Sequence, residues 1–298
     1  MLLRRIQSSS RGYYIESPLK KELKSYAGRT IKTEPMSTPA QKYLAQKQRW
    51  HPPRYPKLTG LDRAQQLYQI LVPDLPKDLK KLVDDGIVAI GEIGRNVPDI
   101  RMVPLDSDGF VIEFTSGMMD FQYAIARALA GLDQENAILE EEPLSLLEVS
   151  LIVEKVLHQW AKYIRWFWVW PWRRIKFTHV PITNGVREWI EMMVTMGELF
   201  LLTHELGHVA LDSGLKKPVS GNEELDADRY GLEFLLPATQ RYWHKRVVCA
   251  GPIVPIRIFG SLERLGVKFS SQYPPETERI RLLCEQISNM CPSKEYFY

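Results

Sequence analysis

Three residues whose types and spacing could do chemistry together are His204, Glu205 and His208, in the order H-E-x-x-H within the stretch Gly197 to Val209. An α-helix turns once every ~3.6 residues, so side chains four apart share a face. Two imidazoles on one face can grip one metal ion, and Glu205, one residue round from His204, can reach a third species on that ion. By itself this short pattern also fits an exposed helix with two unrelated histidines. Its surroundings argue against that. Leu199, Phe200, Leu201 and Leu202 precede it, and Val209, Ala210 and Leu211 follow. A helix apolar nearly all round is a buried helix. Polar groups inside one are costly unless partnered, and a metal is a suitable partner.

A third ligand is needed, because a catalytic zinc site has three protein ligands and a position left for water. The helix should stop at Asp212-Ser213-Gly214, with Gly214 as a left-handed cap. After a polar loop from Lys216 to Asn222, the run N-E-E-L-D-A-D-R-Y-G-L-E-F-L-L-P reads as a second helix, with Asn222 as N-cap and Pro237 as its end. Glu224 and Asp228 lie four apart on one face of it. Glu224 is the candidate third ligand. Asp228 is placed to accept the other ring N–H of a ligand histidine and fix its tautomer. Glu223 is a rival ligand, less attractive because Asp228 is not on its face. The competing reading of Glu223, Glu224, Asp226 and Asp228 is a solvated acidic face.

H-E-L-G-H at 204–208 followed by E-L-D-A-D at 224–228 resembles the gluzincin metallopeptidases. The form E-x-x-A-D is most similar to the CAAX prenyl protease and HtpX peptidase family. Two further pieces agree. Ser271 to Leu283 is similar to the H-P-P-x-x-x-R-I segment of that family, with Tyr273 where histidine often stands. Gly109 to Met119 is similar to the strand and turn that precede its zinc helix. The 224–237 run also resembles the IrrE/ImmA-type repressor-cleaving metalloproteases. The resemblance implies a zinc metalloendopeptidase in which His204, His208 and Glu224 hold Zn²⁺ and Glu205 is the general base for the attacking water. Tyr273, His244 and Arg279 are the candidates for a second oxyanion donor or a substrate contact, Tyr273 first. Two alternatives stay open: a non-catalytic zincin-fold binding or scaffold protein acting through its basic arm and Trp-rich segment, and a regulatory protease with one protein substrate.

The elements that must position these groups are expected to form an α+β fold, mostly helical, with a small β-sheet beside the zinc helix. Asp62 to Val72 reads as an amphipathic helix with Leu67, Ile70 and Leu71 inward. Ile87 to Ile90 is a short strand or buried turn. Phe110 to Thr115 alternates, and is the candidate edge strand on which a peptide substrate would be added. A helix from about Met119 to Leu129 follows. Pro252 to Phe259 reads as strand-like or a buried turn, and Pro275 to Cys291 as a closing helix with Ile280, Leu283 and Ile287 on one face.

Charge divides the 298 residues unevenly. The first 60 carry 13 Lys/Arg against 3 acids, and the rest 26 against 33. The division expected is a basic, proline-containing arm over 1–58, extended and partly disordered or laid over the domain, then a catalytic domain over 59–298; packing on the acidic body ranks first for the arm, beside contact with nucleic acid or anionic lipid. Within the catalytic domain, a Trp-rich insertion spans about 133–180. Trp166, Trp168, Trp170 and Trp172 beside arginine suit helix packing first and peripheral membrane contact second; nucleic acid ranks last. The stretch Leu144 to Trp172 is too broken by charge to span a bilayer. His158 and His179 read as structural. Cys249, Cys284 and Cys291 form no paired framework and no C-x-x-C, which fits a reducing compartment. The expected location is cytoplasmic, with a mitochondrial alternative from the Arg- and Ser-rich, acid-free start. The expected partner is a protein or peptide substrate.

Overall fold

The computed structural model describes residues 38–54, 60–106, 109–130, 151–162 except 152 and 160, 184–239, 245–267 and 273–290. In chain order they form α1 (Pro39–Trp50), α2 (Arg63–Leu71), α3 (Lys77–Asp84), β1 (Val88–Ile93), β2 (Ile100–Leu105), β3 (Gly109–Thr115), α4 (Ser116–Ala130), α5 (Asn184–Asp212), α6 (Glu223–Thr239), α7 (Lys245–Ala250), α8 (Ile253–Arg264) and α9 (Glu276–Met290). A further helical stretch covers 153–159. The fold is α+β, mostly helical, with one three-stranded sheet.

The sheet order is β1-β3-β2, with β3 parallel to β1 and antiparallel to β2. The period-two alternation of a strand sends its side chains to two faces. Ile90, Ile112 and Phe114 enter the main core, where α5 lies. Ala89, Ile93 and Val111 face the other way and are covered by Ala40 and Leu44 of α1. The expectation that β3 is the edge is therefore corrected. β3 is hydrogen-bonded on both sides, and the edge toward α5 is β2. That strand was hard to read because its sequence, I-R-M-V-P-L, contains a proline. Proline is tolerated there because position 104 shares the outward side of an edge strand with Met102.

The extended arm expected over residues 1–58 is corrected for its described part. Residues 39–50 are helical, opened by a capping box in which Thr38 and Gln41 bond reciprocally. This helix packs on β1 and β3, and the residues after it reach the same sheet. Gln48 Nε2 donates to Asp62 and to the Glu92 carbonyl, and the backbone N–H of Arg54 donates to Glu92. Asp62 caps α2, whose Leu67, Ile70 and Leu71 are all buried.

Helix α5 is the axis of the molecule. It packs most extensively on α6, and also on α2, α4, β2, β3, α7 and α8. Its apolar run is buried as expected, with Leu199, Phe200, Leu202, Leu206 and Val209 fully inside. The buried carboxylate of Glu198 is held by the Arg63 guanidinium at 2.6 and 3.0 Å, which ties α2 to α5. Gly214 caps the end of α5 at φ +73°. Helix α6 continues through Pro237 to Thr239, so Pro237 does not end it. The segment read as strand-like at 252–259 is helical, because the buried residues Pro255, Ile258 and Leu262 recur at i, i+3 and i+7. The closing helix buries Leu283 and Ile287.

The close approach of α5 and α6 depends on two glycines. A Cβ on Gly231 would lie 2.8 Å from the His204 backbone nitrogen, and one on Gly207 would lie 2.7 Å from the Ala227 carbonyl oxygen. Both neighbours are backbone and cannot step aside. Gly231→Ala is expected to force the helices apart, costing about 1–3 kcal/mol net of the helix propensity gained. Denaturant unfolding would measure this, and an unchanged midpoint would refute it.

Candidate metal centre

α5 contributes His204, Glu205 and His208, and α6 contributes Glu223, Glu224, Asp226 and Asp228. Asn222 caps α6 as expected, its side-chain oxygen accepting from the N–H groups of Glu224 and Leu225. Each of the four acids in the first turns of α6 has its own occupation, so the stretch is not a solvated acidic face. Asp226 is buried and its carboxylate accepts from the N–H groups of Val219 and Ser220, both at 2.9 Å, which pins the loop from α5.

Asp228 accepts from Nδ1 of His204 at 2.8 Å. Its two oxygens also receive a bidentate pair of hydrogen bonds from Arg279 of α9, both at 2.7 Å. Burial disfavours the Asp228 charge, but Arg279 and His204 outweigh it and hold the carboxyl at about 2. An ionised carboxylate only accepts, so Nδ1 of His204 carries the proton. Glu223 accepts from Nδ1 of His208 at 2.8 Å. Glu223, the rival ligand by sequence, thus orients the second histidine. Arg279, expected to meet substrate or oxyanion, is committed to Asp228.

With both Nδ1 atoms turned outward, both Nε2 atoms turn inward. They lie 3.2 Å apart. Glu224 completes the group, with one oxygen 3.4 Å from His204 Nε2 and the other 3.7 Å from His208 Nε2. Metal–ligand bonds of about 2.0–2.1 Å in a tetrahedral arrangement set neighbouring donors about 3.3–3.5 Å apart. The three separations lie within a few tenths of an ångström of that spacing, the two to Glu224 being made by its two different oxygens. Two neutral rings with Nδ1 protonated would also set lone pair against lone pair, which requires a cation or a proton between them. Burial opposes a proton on His204, but the carboxylates Asp228, hydrogen-bonded to its Nδ1, and Glu224, close to its Nε2, raise the ring to about 10. The same field favours a metal ion. Glu224 Oε2 is buried and makes no hydrogen bond, as a ligand oxygen would. His204, His208 and Glu224 can therefore hold a metal ion, all ligand atoms lying within 4.8 Å of one another.

Glu205 is buried and accepts from the backbone N–H of Met102 on β2 at 2.5 Å. Burial raises its carboxyl above the ordinary range, against the pull of the two histidines and of that N–H. Met102 could not be found from sequence, because a backbone donor has no residue-type signature. Glu205 and His204 open onto a cleft whose walls come from β2, α4, α5, α8, α9 and the segment before α9. Tyr273 lines this cleft, its ring stacked under the Arg279 guanidinium at 5.5 Å. Burial first, then the charges of Glu224 and Glu205, push its hydroxyl well above its usual range. His244, His179, Cys291 and the Trp166–Trp172 segment lie outside the described residues. His158 is exposed on the 153–159 helix, with its Nδ1 3.1 Å from the Glu154 carbonyl oxygen. Among the described residues no helix is long and apolar enough to cross a membrane.

The chain Arg279–Asp228–His204 yields a double expectation. Arg279→Met leaves a buried carboxylate without its countercharge, which costs about 3–5 kcal/mol in unfolding free energy. Asp228→Asn keeps the volume but loses the enforced tautomer, and should weaken metal binding by about 10–100-fold in a chelator competition. Unaltered affinity in Asp228→Asn would show that the hydrogen bond does not set the ring.

Comparison with known proteins gives one family match. A family model described as Peptidase U49 matches residues 186–297, just over a third of the chain. The matched segment runs from the first turn of α5 past the end of α9, so it contains the histidines, Glu205, the four acids of α6 and Arg279. Searches of curated proteins and of solved structures return no match. The chain is thus similar, over the segment that builds this centre, to a peptidase family, which supports a peptidase function.

Proposed function

We propose that this protein is a zinc-dependent metalloendopeptidase of the gluzincin type, acting on protein or peptide substrates. The observation that carries the reading is the spacing of His204 Nε2, His208 Nε2 and Glu224, with both outer imidazole nitrogens already anchored and Glu205 beside them at the cleft. Zinc held by these three residues would act as a Lewis acid and lower the pKa of a water toward about 7.

The remaining work falls to side chains of this chain. Glu205 takes the proton of the attacking water. Its raised carboxyl brings it closer to the neutral range in which a general base is most effective. The same carboxyl then passes that proton to the leaving amine. Asp228 and Glu223 hold the two imidazoles in the tautomer that directs Nε2 inward. Tyr273, which lines the same cleft, is assigned as hydrogen-bond donor to the developing oxyanion. Arg279, engaged with Asp228, serves as a positioning residue.

Glu205→Gln tests the assignment. The variant should retain stoichiometric zinc by elemental analysis and lose at least about 100-fold in peptide hydrolysis. Chelation should abolish hydrolysis in the unsubstituted protein, and zinc should restore it. Hydrolysis that survives Glu205→Gln would remove the general-base role, and purified protein without stoichiometric zinc would remove the metal.

A further inference from the structure

A glutamate side chain has several rotatable bonds, and burial alone does not choose among its rotamers. For Glu205 the choice is made from another element. The backbone N–H of Met102 donates to its Oε2 at 2.5 Å. Met102 stands opposite Ile112 of β3, yet its N–H points away from β3 toward α5. Among the described residues β2 pairs only with β3, so no neighbouring strand fixes that outer side.

The strand is held from its other face. Successive side chains of a strand point to opposite faces. Arg101, one residue before Met102, therefore faces α1 and stands opposite Glu113 of β3. Its Nε and Nη2 both donate to Glu113 Oε2, at 3.0 and 2.8 Å. Lys47 of α1 lies 3.9 Å from the other carboxylate oxygen, and Glu113 is only 3% exposed. Just before Arg101, the Asp99 N–H donates to the Thr115 hydroxyl at 2.9 Å, and the Thr115 N–H donates to the Asp99 carbonyl at 3.0 Å. A buried ion pair adds little net stability once its desolvation is counted. What this one does supply is a fixed height for β2 at the residue that meets Glu205. Lys47, Arg101, Met102 and Glu113 all lie outside residues 186–297, the segment similar to the peptidase family.

We propose that the Arg101–Glu113 clamp and the Met102 N–H form one device that orients the Glu205 carboxylate. The clamp sets the strand, the N–H occupies Oε2, and Oε1 is left to take the proton of the attacking water. Arg101 is a positioning residue: it touches no reacting atom and acts through Met102. The inference rests on the hydrolytic reading and adds to it the part that holds the base.

The test has two arms, both on the full chain. The first is amide hydrogen exchange, which needs no hydrolysis. The Met102 amide should exchange at least about 100-fold slower in the unsubstituted protein than in Glu205→Ala, and Arg101→Met should lose at least about tenfold of that protection. The second arm is kinetic, on zinc-loaded protein with a peptide that it cuts. Arg101→Met, and Met102→Pro, which deletes the N–H on the unpaired side of the strand, should each lower kcat at least about tenfold while KM changes less than about twofold. Zinc content should stay stoichiometric in both. Arg101→Lys keeps the charge without the fork and should recover part of the loss. A clamp that only supports the fold would lower the melting temperature of these variants and leave kcat per folded molecule intact, which overturns the proposal. Equal exchange of Met102 in the unsubstituted and Glu205→Ala proteins overturns it as well. Either result leaves the hydrolytic reading standing. A protected Met102 amide without any hydrolysis by the unsubstituted chain overturns the hydrolytic reading, and the catalytic purpose of the clamp with it.

Discussion

The bond between Asp228 and the His204 ring is the interaction on which the centre depends. It joins the two helices that carry the chemistry, and it is possible only because α5 and α6 approach to backbone contact at Gly207 and Gly231. A carboxylate buried at that contact would be a liability by itself. Arg279 removes the liability by offering its planar fork to both oxygens, so a third helix, α9, is committed to the same point. Position, charge and tautomer of His204 are settled together. The second histidine is held more loosely, by Glu223, a residue three-fifths exposed on its side chain.

The sheet meets this helical core at one atom that matters to the site. β2 turns its outer edge to α5, and the Met102 N–H that would otherwise seek water donates to Glu205. Pro104, further along the same edge, has no N–H to give. The edge therefore spends its donor on the proposed base and closes part of itself to any added strand. α1, on the far face of the sheet, covers it with Ala40 and Leu44, so the strand order is supported from both sides.

Several parts of this arrangement were legible in the residues themselves. Four-residue spacing placed His204 over His208 and Glu224 beside Asp228. Gly214 and Asn222 marked the end of one helix and the start of the next. The alternation in Phe110 to Thr115 gave a strand, and the apolar run after Gly197 gave a buried helix. What misled was local as well. The proline in β2 hid an edge strand, the apolar run after Pro252 read as extended although its helical period was present, and proline and lysine at the start of the chain masked the helix from Pro39 to Trp50.

Sequence by itself determined which residue types lie on which helix face, because periodicity is a property of neighbours along the chain. It ranked Glu224 above Glu223 as the third ligand but could not assign Glu223 to the outer nitrogen of His208. Both sit in the first turn of α6, and the choice depends on the angle at which that helix crosses α5. Nor could it assign Arg279 to Asp228, 51 residues away, or the Met102 N–H to Glu205, 103 residues away. Those partners are fixed by how helices and strands pack. Packing geometry is set by the volumes and close approaches of many side chains at once, with Gly207 and Gly231 among the smallest of them.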